Sequence, residues 1–244
     1  MRMTTDIMGL PVDKITMKDA VDRLKSFINE DKLHQIVTPN AEIMMDAASD
    51  GNLATIIKEA AMVIPDGSGV VLASKILGTP LPEKVPGFDL AKNSFSIDAG
   101  RKIKYFFFGS KPGVAQKAAE LVMAEFPNVL VTGTHDGYFK EEDVPQIIDE
   151  INASGADILL VALGAPKAEK WIYQHRESLK VRVAIGVGGT IDILAGNYSL
   201  LAPDFFRKNG LEWLYRLCKE PWRYKRMLKL PKYVFKTIGY KLTH

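Results

Sequence analysis

The stretch ILLVALGAPKAEKWIYQHRESL, residues 158–179, decides the fold class. Its first seven residues are apolar or small and do not alternate with polar residues, which is typical of a strand buried on both faces of a parallel sheet. A turn at Gly164-Ala165-Pro166 follows, and the remaining residues have a helical pattern. The stretch therefore predicts one strand–turn–helix unit of an α/β protein.

Similar apolar runs recur along the chain. They are HQIV (34–37), MVIP (62–65), KYFFFG (104–109), NVLVTG (128–133) and VRVAIGVGG (181–189). Helical patterns lie among them at 112–126 and 141–155, and a further helix at 16–28 opens with a capping-box pattern, Thr16 to Asp19. This alternation predicts an α/β fold with a Rossmann-like, mostly parallel sheet flanked by helices.

Composition narrows the class of protein. With 244 residues and 47% hydrophobic residues, the chain can bury a sizeable core. Cys218 is the only cysteine, so we expect neither an intramolecular disulfide nor a cysteine zinc site, and we expect a cytosolic protein. The first residues have no signal-peptide core, and no apolar run approaches the ~18 residues that span a bilayer.

Positive and negative residues are distributed unevenly along the chain. Residues 207–244 hold eleven lysines and arginines and two acids, a net charge of +9, whereas the preceding 206 residues carry −6. We therefore expect a Rossmann-like catalytic core at residues 1–200 and a basic, amphipathic helical appendage at residues 201–244.

The appendage mixes cations with aromatic residues, and its apolar positions Leu211, Leu214, Tyr215 and Cys218 predict one helical stripe. Pro221 and Pro231 are expected to break the helix. Three interpretations remain open: a membrane-interface helix, docking on the body or on another subunit, and binding of single-stranded nucleic acid.

Small and polar residues follow every predicted strand. They are TPN (38–40), PDGSG (65–69), GSKPG (109–113), GTHDGYF (133–139), GAPKAEK (164–170) and GVGGT (186–190). In parallel sheets, ligands bind beyond the carboxyl ends of the strands, and small residues with helix N-termini favour anions. These turns predict a phosphate-bearing ligand.

Several chemistries are disfavoured by the sequence. Ile191 stands where a dinucleotide fingerprint needs its third glycine, and there is no Walker A sequence. The four histidines are scattered, and no Asp-x-Asp pair is present. Metal-free chemistry on an activated donor remains, with Asp66 either a base of ordinary pKa or only a turn former.

Several longer motifs of the sequence resemble those of a known protein family. TPNAEI, IPDGSGVVLASK, PEKVPGFDL, THDGYF, VALGAPKAEKWI, GVGGTIDILAG and GLEWLYRLCKEPWRYKRML stand in the order found in the WecG/TagA/CpsF glycosyltransferases, and they span nearly the whole chain. The chain most resembles the branch that transfers N-acetylmannosamine from UDP to a lipid-linked N-acetylglucosamine in wall teichoic acid synthesis. The resemblance implies an inverting, metal-independent enzyme without a cofactor.

The resemblance also implies roles for particular residues. Asp66 matches the catalytic base, with Thr38 and Asn40 lining its pocket. The residues expected to bind substrates are Lys84, Tyr138, Ala168, Val187, Gly188, Asp192, Arg216, Arg223 and Arg226, the last three holding the acceptor's diphosphate. Three positions depart from the family pattern: Lys84 replaces an arginine, Ala168 a glutamine in a ligand-facing turn, and Leu201 a basic residue.

The implied partners are a UDP-sugar donor, a polyprenyl-diphosphate-linked acceptor and an anionic membrane surface, with no nucleic acid. The implied location is the cytoplasmic face of the cell membrane, as a peripheral protein. Alternatives are a family member that uses another UDP-sugar, such as a mannosaminuronate or glucose donor, and a nucleotide-sugar-binding protein without turnover. A homo-oligomer is left open.

Overall fold

The computed structural model describes residues 2–221 and 224–243. Its strands are β1 (Thr4–Ile7), β2 (Leu10–Asp13), β3 (His34–Val37), β4 (Met62–Val63), β5 (Ile103–Gly109), β6 (Val129–His135), β7 (Ile158–Ala162) and β8 (Val183–Gly186). Its first nine helices are α1 (Met17–Phe27), α2 (Ala41–Ala47), α3 (Gly51–Glu59), α4 (Ser68–Ile76), α5 (Gly87–Ser94), α6 (Val114–Glu125), α7 (Val144–Ala153), α8 (Lys167–His175) and α9 (Thr190–Leu194). Four more follow in the appendage: α10 (Asp204–Lys208), α11 (Glu212–Lys219), α12 (Tyr224–Met227) and α13 (Lys229–Thr243).

Six of the strands form one parallel sheet in the order β4-β3-β8-β7-β5-β6. The predicted α/β fold with a parallel sheet flanked by helices is confirmed, and each of the six apolar runs supplies one strand. The carboxyl ends of all six strands lie at the same edge of the sheet, so the turns that follow them are brought together there.

The strand side chains alternate between two buried faces. Ile36, Tyr105 and Phe107 belong to the core with α1, α5, α6 and α9, whereas Phe106 and Phe108 pack with α7 and α8 on the other face. This second face continues beneath α2, α3 and α4. The two-sided burial explains why the runs are apolar throughout rather than alternating.

Local signals set the ends of the elements. Thr16 caps α1. Its side chain accepts a hydrogen bond from the Asp19 N–H, and the Asp19 side chain accepts one from the Thr16 N–H, which confirms the predicted capping box. The antiparallel hairpin β1–β2 was not predicted from the sequence. Its strands have four residues each, too few for a clear alternation pattern.

The appendage packs on the body. The ring of Tyr233 on α13 is 1% exposed and lies in the core formed with α2, α3 and α4, and Lys229 pairs with Asp46 at 2.5 Å. Docking on the body was one of the three interpretations of this segment. In residues 2–221 and 224–243, no helix combines the length and the apolar character that crossing a bilayer requires.

The two prolines of the appendage differ in effect. Helix α11 ends at Lys219, just before Pro221, as predicted. The prediction for Pro231 is wrong, because α13 begins at Lys229 and contains Pro231 in its first turn. A first-turn residue has no intrahelical acceptor for its N–H, so proline is tolerated there.

Candidate active site

Asp66 lies at the carboxyl edge of the sheet, between β4 and α4. Gly67 follows it with a φ of 94°, a left-handed conformation that glycine adopts without strain, and α4 begins at the next residue. The Asp66 side chain is half-buried. The sequence therefore folds into a turn that holds a carboxylate at the ligand-binding edge.

The environment of Asp66 alters its acidity. Burial raises the pKa of Asp66 to about 6, while the charges of Arg216 and Lys84 lower it and those of Glu212 and Asp89 raise it further. The expectation of an ordinary aspartate pKa is thus wrong, because desolvation disfavours the charged carboxylate. A carboxyl group with a pKa near 6 is still mostly ionised at neutral pH and is a stronger base than a free aspartate.

Asn40 lies beside the turn of Asp66, and Thr38 follows strand β3, which pairs with β4. The Thr38 hydroxyl donates to the backbone oxygen of Gly186 at 3.2 Å. Its methyl group packs closely on Gly87, because a Cβ atom on Gly87 would lie only 3.1 Å from it. Asn40 caps α2 through two bonds of 3.0 Å, and a Cβ on Gly67 would lie 3.7 Å from the Asn40 Cβ. The resemblance assigns Asp66, Thr38 and Asn40 to one pocket. All three lie at the carboxyl edge of the sheet, and their roles there stay a prediction.

Ion pairs join helices α10 and α11 to Lys84 and Asp89, whose charges act on Asp66. The Lys84 ammonium contacts the Glu212 carboxylate and donates to the Arg207 carbonyl at 3.2 Å, while the Arg207 guanidinium pairs with Asp89 at 2.5 Å. The Ser68 hydroxyl, two residues after Asp66, donates to Glu212 at 3.4 Å. Lys84 therefore has a protein counter-ion, although the sequence predicted that it binds substrate.

The three arginines predicted to hold a diphosphate differ in position. Arg216 lies on α11, is exposed, and acts on Asp66 through its charge. Arg223 lies outside the described residues, and the side chain of Arg226 does as well. Only Arg216 can therefore be placed at the candidate site.

A second depression, of about 410 Å³, opens at the ends of β5, β7 and β8. It is lined by Ser110, Lys111, Gly137, Tyr138, Ala162, Leu163, Gly164, Gly188, Gly189 and Asp192. We call it the nucleotide cleft because three residues that the resemblance expects to hold the nucleotide, Tyr138, Gly188 and Asp192, line it. Tyr138 is 69% exposed there, and a Cβ on Gly188 would meet nothing within 4 Å, so backbone and aromatic ring are both open to a ligand.

Val187 contributes differently from the other predicted cleft residues. Its side chain is buried in the core. Its N–H donates to the Val161 carbonyl at 2.9 Å, and its carbonyl accepts from the Thr190 hydroxyl at 2.7 Å. Val187 thus fixes the turn that carries Gly188 into the cleft.

Ala168 and Glu169 lie beneath the sheet edge rather than on its surface. Ala168 is 1% exposed and packs with Phe108 and Trp171, which corrects the expectation of a ligand-facing position. Glu169 is 2% exposed, its Oε2 atom has no hydrogen-bond partner, and burial raises the pKa of Glu169 to about 7. Its Oε1 atom would lie 2.8 Å from a Cβ on Gly186, so a side chain at the end of β8 would displace the Glu169 carboxylate.

Sequence reasoning missed other residues of the two sites. Glu212, Asp89 and Arg207 were not assigned, because their roles arise from ion pairs between distant segments. Ser110 stands in the predicted ligand turn GSKPG and has a φ of 62°, but no local pattern distinguished it from its neighbours. Among the described residues, histidine, cysteine, aspartate and glutamate side chains form no group of three or more that could hold a metal ion.

Three of the proteins similar to this chain share the name N-acetylglucosaminyldiphosphoundecaprenol N-acetyl-beta-D-mannosaminyltransferase. The protein from Bacillus spizizenii is 37% identical over 86% of this chain and 80% of its own length. The protein from Bacillus subtilis strain 168 is 31% identical over 94% and 89%, and the one from Staphylococcus aureus strain MRSA252 is 32% identical over 95% and 91%.

The family comparison covers almost the whole chain. The model described as "Glycosyl transferase WecG/TagA/CpsF family" matches residues 5–244, which include both depressions and the appendage. Together with the fold and the placement of Asp66 at the ligand-binding edge, this match assigns the chain: it belongs to the WecG/TagA/CpsF glycosyltransferase family.

Proposed function

We propose that the protein is an inverting, metal-independent glycosyltransferase that moves N-acetylmannosamine from its UDP donor to an N-acetylglucosamine linked through diphosphate to undecaprenol. The name of its relatives gives the transferred sugar and the acceptor in those proteins. The observation that carries the proposal is the position of Asp66, which shares the sheet edge with the nucleotide cleft and lies in the field of two cations.

The proposed reaction is a single displacement. Asp66 takes the proton of the acceptor hydroxyl as its oxygen bonds to the anomeric carbon of the donor sugar. The bond from that carbon to the diphosphate breaks, and UDP leaves with the electron pair. Attack opposite the leaving group inverts the anomeric configuration, and Arg216 neutralises charge on the acceptor's diphosphate together with Arg223 and Arg226.

Turnover with defined substrates tests this proposal. The purified chain is incubated with a lipid-linked N-acetylglucosamine acceptor and UDP-N-acetylmannosamine, and released UDP and lipid-linked disaccharide are measured with and without EDTA. We expect equal turnover in both conditions. Turnover only with a mannosaminuronate or glucose donor would change the assigned substrate, and donor binding without UDP release would contradict the enzymatic function.

We further propose that α13 holds the protein on the cytoplasmic face of an anionic membrane. One face of α13 packs on the body through Tyr233 and Thr237, and the opposite face exposes Phe235 by 74%, Ile238 by 41% and Leu242 by 81%. Lysines at 232, 236 and 241 flank this outer stripe. An apolar stripe bordered by cations suits a lipid headgroup region.

Substitution of the outer stripe tests the membrane proposal. A variant carrying Phe235→Ser, Ile238→Ser and Leu242→Ser should lose sedimentation with vesicles of anionic phospholipid while its Tm stays near that of the unchanged protein. The matched control is Leu121→Ser with Leu130→Ser, which removes two exposed leucines of the body. Vesicle binding lost equally in both variants, or retained by the stripe variant, would contradict the assignment to α13.

A further inference from the structure

Ser110 adopts an uncommon backbone conformation in the nucleotide cleft. Its φ is 62°, in the left-handed region that few residues other than glycine enter. Gly109 before it also has a positive φ, and a Cβ there would lie 2.5 Å from the backbone of Ala162. The chain is thus forced into this shape where β5 ends, and unusual backbone of this kind concentrates at functional sites.

Three hydrogen bonds join Ser110 to the rest of the cleft. Its N–H donates to the Ala162 carbonyl at 3.1 Å, and its carbonyl accepts from the Gly137 N–H at 2.9 Å. Its hydroxyl donates to Oδ2 of Asp192 at 2.9 Å. Ser110 therefore links the end of β7, the turn that carries Tyr138, and helix α9.

The second oxygen of Asp192 is available to a ligand. Within residues 2–221 and 224–243, Oδ1 of Asp192 has no hydrogen-bond partner, and the half-buried side chain lines the cleft. A carboxylate accepts hydrogen bonds and repels phosphate, so within a nucleotide its partner is a hydroxyl or N–H group rather than a phosphate oxygen. The exposed ring of Tyr138 in the same cleft offers a stacking surface for a planar base, which leaves the ribose hydroxyls for Asp192.

We propose that Ser110 is a positioning residue that fixes the Asp192 carboxylate, so that its free oxygen accepts a hydrogen bond from the ribose of the donor nucleotide. The hydroxyl of Ser110 holds one carboxylate oxygen, and its backbone holds the turn of Tyr138 at a set distance. Ser110 thereby contributes to selection of ribonucleotides over deoxyribonucleotides. This inference rests on the proposed use of a UDP donor.

Two substitutions separate the hydroxyl from the backbone. Ser110→Ala and Ser110→Gly both remove the bond to Asp192, but glycine relieves the left-handed conformation whereas alanine does not. The Kd of UDP and of 2′-deoxy-UDP is measured by calorimetry for each variant, together with Tm. We expect both variants to bind UDP about 5- to 50-fold more weakly and to lose most of the preference for UDP, with the Tm of Ser110→Gly at or above that of Ser110→Ala.

Controls make the result specific. Ser74→Ala removes a buried hydroxyl that bonds Val71 and Leu81 away from the cleft, and it should lower Tm without changing the preference for UDP. In an Asp192→Asn background, Ser110→Ala should have little further effect on UDP binding. An unchanged preference in both Ser110 variants, no preference in the unchanged protein, or full additivity with Asp192→Asn would overturn the inference. Failure of the unchanged protein to bind UDP would instead contradict the proposed function.

Discussion

At the scale of single residues, burial of Asp66 raises its pKa and gives the proposed base a testable pH dependence. Its pKa of about 6 predicts that kcat/KM rises with pH until Asp66 is ionised and is then level, with the midpoint of the rise near pH 6. Asp66→Asn removes the base, so turnover should fall by ~10²-fold or more while UDP binds within a few-fold of its original Kd. A pH–rate profile and UDP calorimetry measure the two effects. Near-normal turnover of Asp66→Asn would remove this residue from the mechanism.

The buried Glu169 carboxyl group is expected to make the stability of the folded protein, rather than its reaction rate, depend on pH. Its folded-state pKa of about 7 lies above the ordinary glutamate value of 4.5, so the folded state binds the proton more tightly than the unfolded state. The stability from this group is complete below about pH 4.5 and is lost as pH rises through about 7. Glu169→Gln should therefore stabilise the protein at pH 8 by about 1–3 kcal/mol relative to its effect at pH 5. Thermal unfolding at both pH values checks this, and a gain independent of pH would exclude titration of Glu169 as its cause.

At the scale of elements, helix α11 places the acidic residue Glu212 near Asp66, from which it is distant in the sequence. Glu212 raises the pKa of Asp66 and neutralises Lys84, which itself lowers that pKa. Glu212→Gln should therefore move the acid limb of the pH–rate profile to lower pH and raise kcat/KM at pH 5 by roughly 2-fold. Glu220→Gln is the matched control, since Glu220 is the other acid of the segment and is not among the charges acting most strongly on Asp66. A limb that shifts in neither variant, or equally in both, would show that α11 does not tune Asp66.

Elements were predicted from the sequence in proportion to the strength of their local pattern. The six sheet strands and α1 have continuous apolar runs or a capping box, and these signals need no knowledge of the partner. The hairpin β1–β2 was missed because each strand has four residues. Pro231 was assigned as a helix breaker, yet it stands in the first turn of α13, where a proline costs no hydrogen bond.

At the scale of the whole molecule, the separation of charge predicts how salt affects membrane association. Residues 207–244 carry +9 and the rest of the chain −6, and each cation near an anionic surface contributes about 1 kcal/mol. Affinity for anionic vesicles should therefore fall by about 10- to 100-fold between 50 and 500 mM salt. Sedimentation over this range measures the effect, with neutral vesicles as the control. Binding that is strong to neutral vesicles and insensitive to salt would assign attachment to the apolar stripe alone.

The sequence by itself determined the fold class and the sheet edge at which the turns after the strands, including that of Asp66, come together. These follow from local burial patterns and from turns that immediately succeed each strand. The choice of Asp66 as the base came instead from the resemblance to a known family. The tertiary structure alone decided that Glu212 pairs with Lys84, that Ser110 bonds Asp192, and that Ala168 lies beneath the site. It also decided the pKa of Asp66, because desolvation depends on which distant segments cover a group. Contacts between residues more than eighty positions apart do not produce a periodic pattern in the sequence, so they are seen only in the tertiary structure.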